Sequence, residues 1–399
     1  MNFLRKIGCR IYQKVFRIAL PILPYREPEV LEGLDKIPEL LLTKNIKSVL
    51  LVTDKKIRGI GLTNDLENGL KQKDINLRVF DEVVPNPTIS NIEAGLKIFN
   101  GDKCRAIIAF GGGSVMDCAK IIGARSVRPK KPVRKMKGLL KIRKKLPTFI
   151  AVPTTAGTGS EVTLAAVITD DATHHKYPIN DFCLIPHFAV LDPNVTVGLP
   201  KSITSTTGMD ALTHAIEAYI GGSTTKLTRK RAEEAVLLIN KYLLKAFYNG
   251  QDLEARAGML KAAYYAGVAF SRSYVGYVHA VAHSLGGQYG VPHGLANAVI
   301  LPYFLDEYNG KIVKKLARLA KRSGVCDASL SDFEASEKFK SWVKGLNAEM
   351  GIPEKIGELQ ECDIKHLARM ADAEANPLYP VPVLMNSKEL ETVYRKLLK

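Results

Sequence analysis

Short strand-like runs alternate with helical stretches in the first half of the chain, and this alternation limits the possible folds more than any other feature. Residues 46–54 form a continuous apolar run that ends in Asp54, as a buried parallel strand does. Residues 75–83 and 104–110 are the next strand-like runs, each separated by a helical stretch. This order favours a parallel sheet with right-handed crossovers. We therefore predict an α/β, Rossmann-like domain over residues 31–200.

The second half of the chain has a different pattern. After Ser202 it consists of long Ala- and Leu-rich stretches, and no strand-like run of similar strength interrupts them. The predicted helices span residues 203–220, 228–247, 253–270, 278–289, 295–308, 311–323 and 330–349. Since 399 residues are many for one core, we predict a second, all-helical domain over residues 201–399.

Two glycine-rich loops follow predicted strands in the α/β half. Residues 111–120, GGGSVMDCAK, lead from a strand into a helix, and their glycines let backbone N–H groups approach an anion. Residues 154–163, TTAGTGSEVT, add several hydroxyl groups. We interpret the loops as sites for a pyrophosphate and a ribose–phosphate backbone. Structural turns are the alternative, because the first loop matches neither GxGxxG nor a Walker A motif.

Four of the eight histidines lie in two helical segments, residues 208–219 and 277–297. Each segment holds two candidate ligands four residues apart, which project from one face of a helix. A fifth candidate follows a proline at a predicted helix start. In chain order the candidates are Asp210, His214, His279, His283 and His293. A carboxylate and several imidazoles aimed at one point suit Zn²⁺ or Fe²⁺. For any single pair, a core histidine or a helix-surface hydrogen bond is the alternative.

The net charge of +17 is concentrated in one segment. Residues 125–145 hold eleven Lys or Arg and no acidic residue, so they account for eleven of the 17 excess charges. We expect this segment to be a solvated loop. Contact with nucleic acid or an acidic membrane is the less favoured alternative, since no aromatic residue is interleaved with the basic ones. We therefore expect no nucleic-acid partner.

Residues 1–30 form a basic extension in which apolar residues alternate with Arg and Lys as far as Pro21, as in an amphipathic helix. Charge interrupts it too often for a bilayer span, and it lacks the features of a signal peptide. We expect it to pack along the body of the protein, with peripheral membrane contact as the less favoured alternative. The six scattered cysteines include no CxxC pair, which favours a reducing, cytoplasmic location.

Five motifs resemble the signatures of one family, the iron-containing (group III) alcohol dehydrogenases, and in particular its butanol dehydrogenase and lactaldehyde reductase members. In order they are GGGSVMDCAK, PTTAGTGSEVT, DPNVTVGLP, GMDALTHAIEAY and VHAVAHSLGGQYGVPHGLAN. The resemblance covers residues 45–390 and implies a dehydroquinate synthase-like architecture, in which an α/β nucleotide-binding domain precedes a helical domain with one divalent metal. The extension at residues 1–30 and the charged insert at residues 129–145 depart from the family pattern.

The resemblance also implies roles for matching residues. Fe²⁺ is the expected metal, with Zn²⁺ as the alternative, and the implied ligands are Asp210, His214, His279 and His293. His283 matches a histidine near the nicotinamide that helps to relay a proton. The implied cofactor contacts are Asp54, Asn86, Gly112, Gly113, Ser114, Asp117, Thr154, Thr155, Thr158, Thr163 and Lys176.

Asp54 bears on the choice of cofactor. Similar enzymes use an aspartate at the end of this strand to favour NAD(H), and a carboxylate there accepts hydrogen bonds from ribose hydroxyls and repels a 2′-phosphate. The adjacent Lys55 and Lys56 leave NADP(H) open.

The activity that the resemblance implies is reversible NAD(H)-linked hydride transfer between a small primary alcohol and its aldehyde, in a homodimer. Glycerol dehydrogenase-like and hydroxyacid–oxoacid transhydrogenase activities are the alternatives within this chemistry. Outside it, a metal-dependent hydrolase and a protein that binds nucleic acid or membrane through its basic segment are alternatives. We expect Phe270, Tyr274 and Tyr379 to line the substrate pocket.

Overall fold

The computed structural model describes residue 1, residues 3–173 and residues 175–399. The chain divides into two compact units. The α/β unit is Pro24–Gly198, and the helical unit combines Met1–Leu23 with Leu199–Lys399. The extension at residues 1–30 is therefore shared, because its first part belongs to the helical unit and its last residues belong to the α/β unit.

The described residues form strands and helices in the following positions. The strands are β1 (Glu29–Leu31), β2 (Ser48–Val52), β3 (Asn76–Phe80), β4 (Ala106–Gly111), β5 (Gly138–Leu139), β6 (Thr148–Pro153), β7 (Ala165–Thr169), β8 (Lys176–Asn180) and β9 (Phe188–Val190). The helices are α1 (Phe3–Ala19), α2 (Lys36–Thr43), α3 (Lys55–Gly59), α4 (Asn64–Gln72), α5 (Ile89–Gly101), α6 (Gly113–Val127), α7 (Lys201–Ile220), α8 (Lys226–Tyr248), α9 (Leu253–Ser273), α10 (Tyr277–Tyr289), α11 (His293–Glu307), α12 (Val313–Arg322), α13 (Asp332–Glu349), α14 (Ile364–Ala375) and α15 (Ser387–Leu397).

A six-stranded sheet forms the centre of the α/β unit. Its order is β1-β9-β6-β4-β2-β3, and each neighbouring pair is parallel. Alternate side chains of one strand enter two different cores: Leu50 packs with α5 and α6, whereas Val49 and Leu51 pack with α2 and α4. Burial on both faces explains why the central strands read as continuous apolar runs. The predicted parallel sheet is confirmed.

Strand β1 is one of the elements that the sequence pattern did not indicate. It has three residues, pairs with β9 at the edge of the sheet, and leaves Glu29 and Val30 exposed. Only Leu31 packs against the core, and an edge strand this short needs no apolar run, so its sequence carries little signal.

The basic segment at residues 125–145, expected to be a solvated loop, has eight of its eleven basic side chains exposed, and it is anchored within the α/β unit. It includes strand β5, which pairs with β8 in a small sheet that also contains β7. Val133, Met136 and Ile142 are buried. Arg125 donates to Glu93 and Arg134 donates to both carboxylate oxygens of Asp170. The expectation holds for most of the charged side chains, while the apolar residues between them anchor the segment.

The helical unit is built around α7, whose residues from Gly208 to Ile220 are all buried. Helices α8, α9 and α11 pack on α7, and α10 packs on α11 and α14. The predicted all-helical domain is confirmed, and α14 and α15 add two helices beyond the predicted set. In the part of the chain that the structure describes, no helix combines the length and apolar character needed to cross a bilayer.

Candidate functional site

Three helices of the helical unit bring the four expected metal ligands together. Asp210 and His214 lie one turn apart on α7, His279 lies in the first turn of α10, and His293 begins α11. One potential ligand atom from each residue lies within 4.8 Å of the others. The first three side chains are buried, and His293 is partly exposed. The arrangement therefore has a buried base and one more accessible side.

Glu217 fixes the orientation of His279. Its carboxylate accepts backbone N–H groups from Gly276 at 2.8 Å and Val278 at 2.9 Å, and its Oε2 lies 2.6 Å from Nδ1 of His279. Burial raises the pKa of Glu217 to about 7, while the backbone donors lower it. Burial, followed by the neighbouring histidines, lowers the pKa of His279 well below its usual value. A neutral His279 that donates from Nδ1 presents the lone pair of Nε2 to the cluster.

Three hydrogen-bond acceptors of the cluster converge on the side-chain amide of Asn297. Its Nδ2 lies 2.7 Å from Oδ1 of Asp210, 3.2 Å from Nε2 of His279 and 3.1 Å from Nε2 of His293. Its Oδ1 is buried and has no hydrogen-bond partner. Three acceptors thus point at one small volume, as they would toward a cation. One carboxylate and three imidazoles are a donor set that fits Fe²⁺ or Zn²⁺.

His283 lies beside these four residues with partners of its own. Its ring stacks on that of His293 with centroids 5.2 Å apart, and its Nδ1 lies 2.6 Å from Oε1 of Glu374. Tyr379 donates its hydroxyl to the same oxygen at 2.7 Å. Burial acts to raise the pKa of Glu374, but His283 and Tyr379 outweigh it, so the pKa is lowered. Glu374 is therefore ionised at neutral pH.

The aromatic residues expected at the substrate pocket lie around the same cluster. The ring of Phe270 stacks on that of His214 with centroids 4.1 Å apart. Tyr274 and Tyr379 contact each other with centroids 6.1 Å apart. These contacts give the cluster an apolar border, which strengthens electrostatic interactions within it.

In the α/β unit, the expected cofactor residues gather at the carboxyl edge of the sheet. Strands β6, β4, β2 and β3 are neighbours, and each is followed by such residues. Those residues are Thr154 after β6, Gly112 after β4, Asp54 after β2 and Asn86 after β3. Ligands of open parallel sheets bind at this edge.

The turn from β4 into α6 is open to an anion. Gly112 is the N-cap of α6 and provides no side-chain cap, so the first N–H groups of the helix lack that partner. A Cβ at Gly113 would lie 3.1 Å from the side chain of Thr158, so the two glycine-rich loops are in close contact. A Cβ at Gly112 would meet Thr155 at 3.7 Å, an ordinary contact distance. This turn fits a pyrophosphate group.

Two of the expected cofactor contacts bind other protein groups. Asp117 accepts hydrogen bonds from Ser160 and from the backbone N–H of Val167, both at 2.9 Å. Thr163 accepts a hydrogen bond at 2.9 Å from Lys120, a buried lysine whose pKa is lowered to about 8 by burial. These bonds connect α6 to the second glycine-rich loop. Asp117 and Thr163 therefore stabilise the conformation of the two loops.

The remaining expected contacts lie nearer the surface. Lys176 donates to Oδ1 of Asn86 at 2.7 Å, and the backbone N–H of Asn86 lies 3.4 Å from the hydroxyl of Ser114. Asp54 caps α3 by accepting the N–H of Ile57 at 2.9 Å. The structure therefore brings Asn86, Ser114 and Lys176 together, whereas Asp54 lies at a separate helix start.

Sequence reasoning missed four residues around these sites. Glu217 follows His214 by three positions and Asn297 follows His293 by four, so helical spacing alone could have identified both. Lys120 lies within the GGGSVMDCAK motif and is one turn beyond Met116. Glu374 has no such signal, since it reaches His283 from 91 positions further along the chain.

Comparison with known proteins identifies the family. The family model for iron-containing alcohol dehydrogenase matches residues 31–193, and that for the C-terminal part of the Fe-containing alcohol dehydrogenase family matches residues 204–398. The chain is 37% identical over 354 residues to 1,3-propanediol dehydrogenase of Klebsiella pneumoniae, covering 88% of this chain and 91% of that protein. It is 36% identical to the NAD-dependent methanol dehydrogenase of Bacillus methanolicus, covering 82% of this chain and 86% of that protein. A crystal structure of 1,3-propanediol oxidoreductase superposes with a TM-score of 0.89 at 35% identity, covering 94% of this chain and 99% of that one. The chain belongs to the iron-containing alcohol dehydrogenase family.

Proposed function

We propose that this protein interconverts short primary alcohols and their aldehydes with NAD(H), using one Fe²⁺ ion. The main support for this proposal is that one carboxylate and three imidazoles converge within 4.8 Å in the helical unit. In this proposal Asp210, His214, His279 and His293 hold the metal. The glycine-rich turn at the start of α6 holds the pyrophosphate of the dinucleotide.

The residues of the chain have distinct roles in this proposal. A divalent cation supplies Lewis-acid polarisation of a substrate oxygen, and a nicotinamide supplies hydride transfer. Glu217 holds His279 in the tautomer whose Nε2 faces the cluster. Glu374 accepts from Nδ1 of His283, which leaves Nε2 of His283 to take up the alcohol proton. The aromatic border of Phe270 and His214 limits the access of water.

NAD(H) rather than NADP(H) is supported by Asp54 at the end of β2. Its carboxylate opposes a 2′-phosphate, and the neighbouring Lys55 is engaged with Glu82 at 3.7 Å. The methanol dehydrogenase of Bacillus methanolicus, a relative that is NAD-dependent, agrees with this choice. Fe²⁺ rather than Zn²⁺ is supported by the family, since the donor set accepts either ion.

The proposal that the substrates are short alcohols is supported by the relatives that act on 1,3-propanediol and methanol. We further propose that the protein is a cytoplasmic homodimer. The six cysteines, all within the described residues, are free thiols, which agrees with a reducing compartment.

The first experiment is NADH oxidation with a panel of short aldehydes. The protein is purified anaerobically, stripped of metal with a chelator and restored with Fe²⁺ or Zn²⁺. We expect turnover only after metal is restored, with NADH preferred over NADPH. A metal-restored protein that hydrolyses esters or phosphates but ignores both cofactors would instead be a hydrolase.

Two histidine variants test the ligand assignment. His279→Ala removes an expected ligand and should abolish both bound metal and turnover. His366→Ala is the matched control, because His366 lies exposed on α14. Full metal content and activity in His279→Ala would refute the assignment.

A further inference from the structure

Helix α1 packs on the rest of the helical unit through a polar face. Arg5 forms two hydrogen bonds with Asp372, at 2.6 and 2.9 Å. Arg10 donates to the backbone carbonyl of Val381 at 2.7 Å, and the buried Gln13 donates to that of Tyr379 at 2.7 Å. Hydrogen bonds and an ion pair therefore hold one side of this helix.

The opposite face of α1, together with the turn that follows it, is apolar and exposed. Its side chains are between 41% exposed, at Ile7, and 83% exposed, at Ile22. This apolar face consists of Phe3, Leu4, Ile7, Ile11, Val15, Ile18 and Ile22. Amphipathic helices on globular proteins usually turn such a face to the core. A contiguous exposed apolar face marks an interaction surface.

Positive charge surrounds the apolar face. Helix α1 holds five Arg or Lys residues and no acidic residue. A groove of about 640 Å³ lies beside it, between α1 and residues 382–384 of the same unit. The basic side chains that line this groove are Lys6, Arg10, Lys14 and Lys311. Apolar side chains from α1 and from residues 382–384 line the rest of the groove.

We propose that the apolar face of α1 docks on an anionic phospholipid surface, with the helix lying in the plane of the interface. The apolar side chains enter the acyl boundary, and Lys6, Lys14 and Arg17 meet the headgroups. At about 1.5 Å per residue, a helix of this length is long enough to lie across several headgroups. The polar docking face explains how α1 stays attached to the enzyme while its apolar face remains available.

Charge favours a lipid surface over a second copy of the chain. Two copies that met through the apolar face of α1 would bring Lys6, Lys14 and Arg17 of each copy together without an acidic residue on either helix. An anionic membrane offers the opposite charge and an apolar layer in one surface. A nucleic acid would match the charge but would leave the apolar face in water.

The test uses the full-length protein and lipid vesicles. Sedimentation is measured with phosphatidylcholine vesicles, with and without about 30% phosphatidylglycerol. We expect binding to be at least about tenfold stronger with the anionic lipid and to weaken as salt rises. No sedimentation with either vesicle, or equal binding to both, would overturn the proposal.

Two variants and a control identify the surface responsible. Val15→Glu combined with Ile18→Glu places charge on the apolar face, where both side chains are more than 60% exposed and folding is therefore unaffected. Phe333→Glu is the matched control, because Phe333 is 66% exposed on α13. Vesicle binding should be lost in the double variant and retained in the control, with NADH-dependent turnover unchanged in both.

A second variant tests the charge component. Lys6→Gln with Lys14→Gln and Arg17→Gln should abolish the preference for anionic vesicles. If size-exclusion chromatography shows instead that the double variant loses self-association and that vesicles never bound, the face is an interface between copies and the lipid proposal is wrong.

Discussion

Glu374 links His283 and Tyr379, which lie beside the expected metal ligands. We predict that Glu374→Gln lowers kcat by about 10- to 100-fold with metal content unchanged. The loss of negative charge weakens the hold on Nδ1 of His283, so Nε2 becomes a poorer proton acceptor. Steady-state kinetics and metal analysis of the purified variant measure the two effects separately.

Glu391→Gln, a change at a partly exposed position on α15, is the control for this prediction. A normal kcat in Glu374→Gln, together with a low kcat in His283→Ala, would show that His283 acts without its carboxylate partner. A low kcat accompanied by lost metal would assign Glu374 to metal binding instead.

Glu161 makes stability depend on pH in a definite direction. Burial raises its pKa to about 7 in the folded protein, against an ordinary value near 4.5. Between these pH values the folded state retains a proton that the unfolded state releases, so stability falls as pH rises from 4.5 to 7. The raised pKa of Glu161 corresponds to about 3 kcal/mol in the free energy of unfolding, which is lost across this pH range.

Glu161→Gln removes this titration while keeping a similar shape. Urea unfolding of metal-free protein at pH 5 and pH 7.5 should show the variant gaining stability relative to the original protein as pH rises. An unchanged difference between the two proteins at both pH values would mean that Glu161 is not buried in its neutral form.

Residues that share a helix with a candidate ligand could be predicted, and residues that arrive from elsewhere could not. The four-residue spacing of Asp210 and His214 predicts that both lie on one face of a helix. Glu217 lies on the same face, about one turn after His214. Glu374 comes from α14, which no local pattern connects to His283. Its position depends on how α10 and α14 pack, and that packing is not encoded in either helix alone.

At the scale of elements, burial decided which strands could be predicted. Strands β2, β4 and β6 are covered on both faces and read as apolar runs. Strand β1 lies at an edge, and its three residues are too few to form an apolar run. In the basic segment, the charges concealed three buried apolar residues. Composition therefore indicated the exposed charges, whereas the positions of the apolar residues were needed to indicate how the segment is anchored.

The start of α6 offers a sharp test of dinucleotide binding. Gly112→Ala should raise the Kd for NADH by about tenfold or more, because a methyl group would enter the space left for a phosphate. Its backbone, at φ −80° and ψ −173°, accepts alanine without strain, so thermal stability should not change. Fluorescence titration of NADH measures the first quantity and calorimetry the second.

Gly101→Ala is the matched control, since a Cβ there would meet nothing within 4 Å. Equal NADH affinity in Gly112→Ala and the original protein would place the pyrophosphate away from this turn. A loss of stability in Gly112→Ala would show that the glycine is needed for folding instead.

For the whole molecule, the net charge of +17 describes the surface poorly. Part of the basic segment is neutralised internally, since Arg125 binds Glu93 and Arg134 binds Asp170. Five further cations lie on α1 beside an apolar face. The basic residues are therefore concentrated in a folded segment of the α/β unit and on one helix of the helical unit.

Metal binding should stabilise the helices that hold the expected ligands more than the other helices. A ligand that binds only the folded state at about 100 times its Kd adds about 2.7 kcal/mol of stability. The expected ligands lie on α7, α10 and α11, so hydrogen-exchange protection should rise most in these helices when Fe²⁺ or Zn²⁺ is added to chelated protein. Asp210→Asn, which replaces a ligand with a neutral side chain of similar size, should lose this gain. Equal protection in all helices, or a gain that survives in Asp210→Asn, would mean that the metal binds elsewhere on the protein.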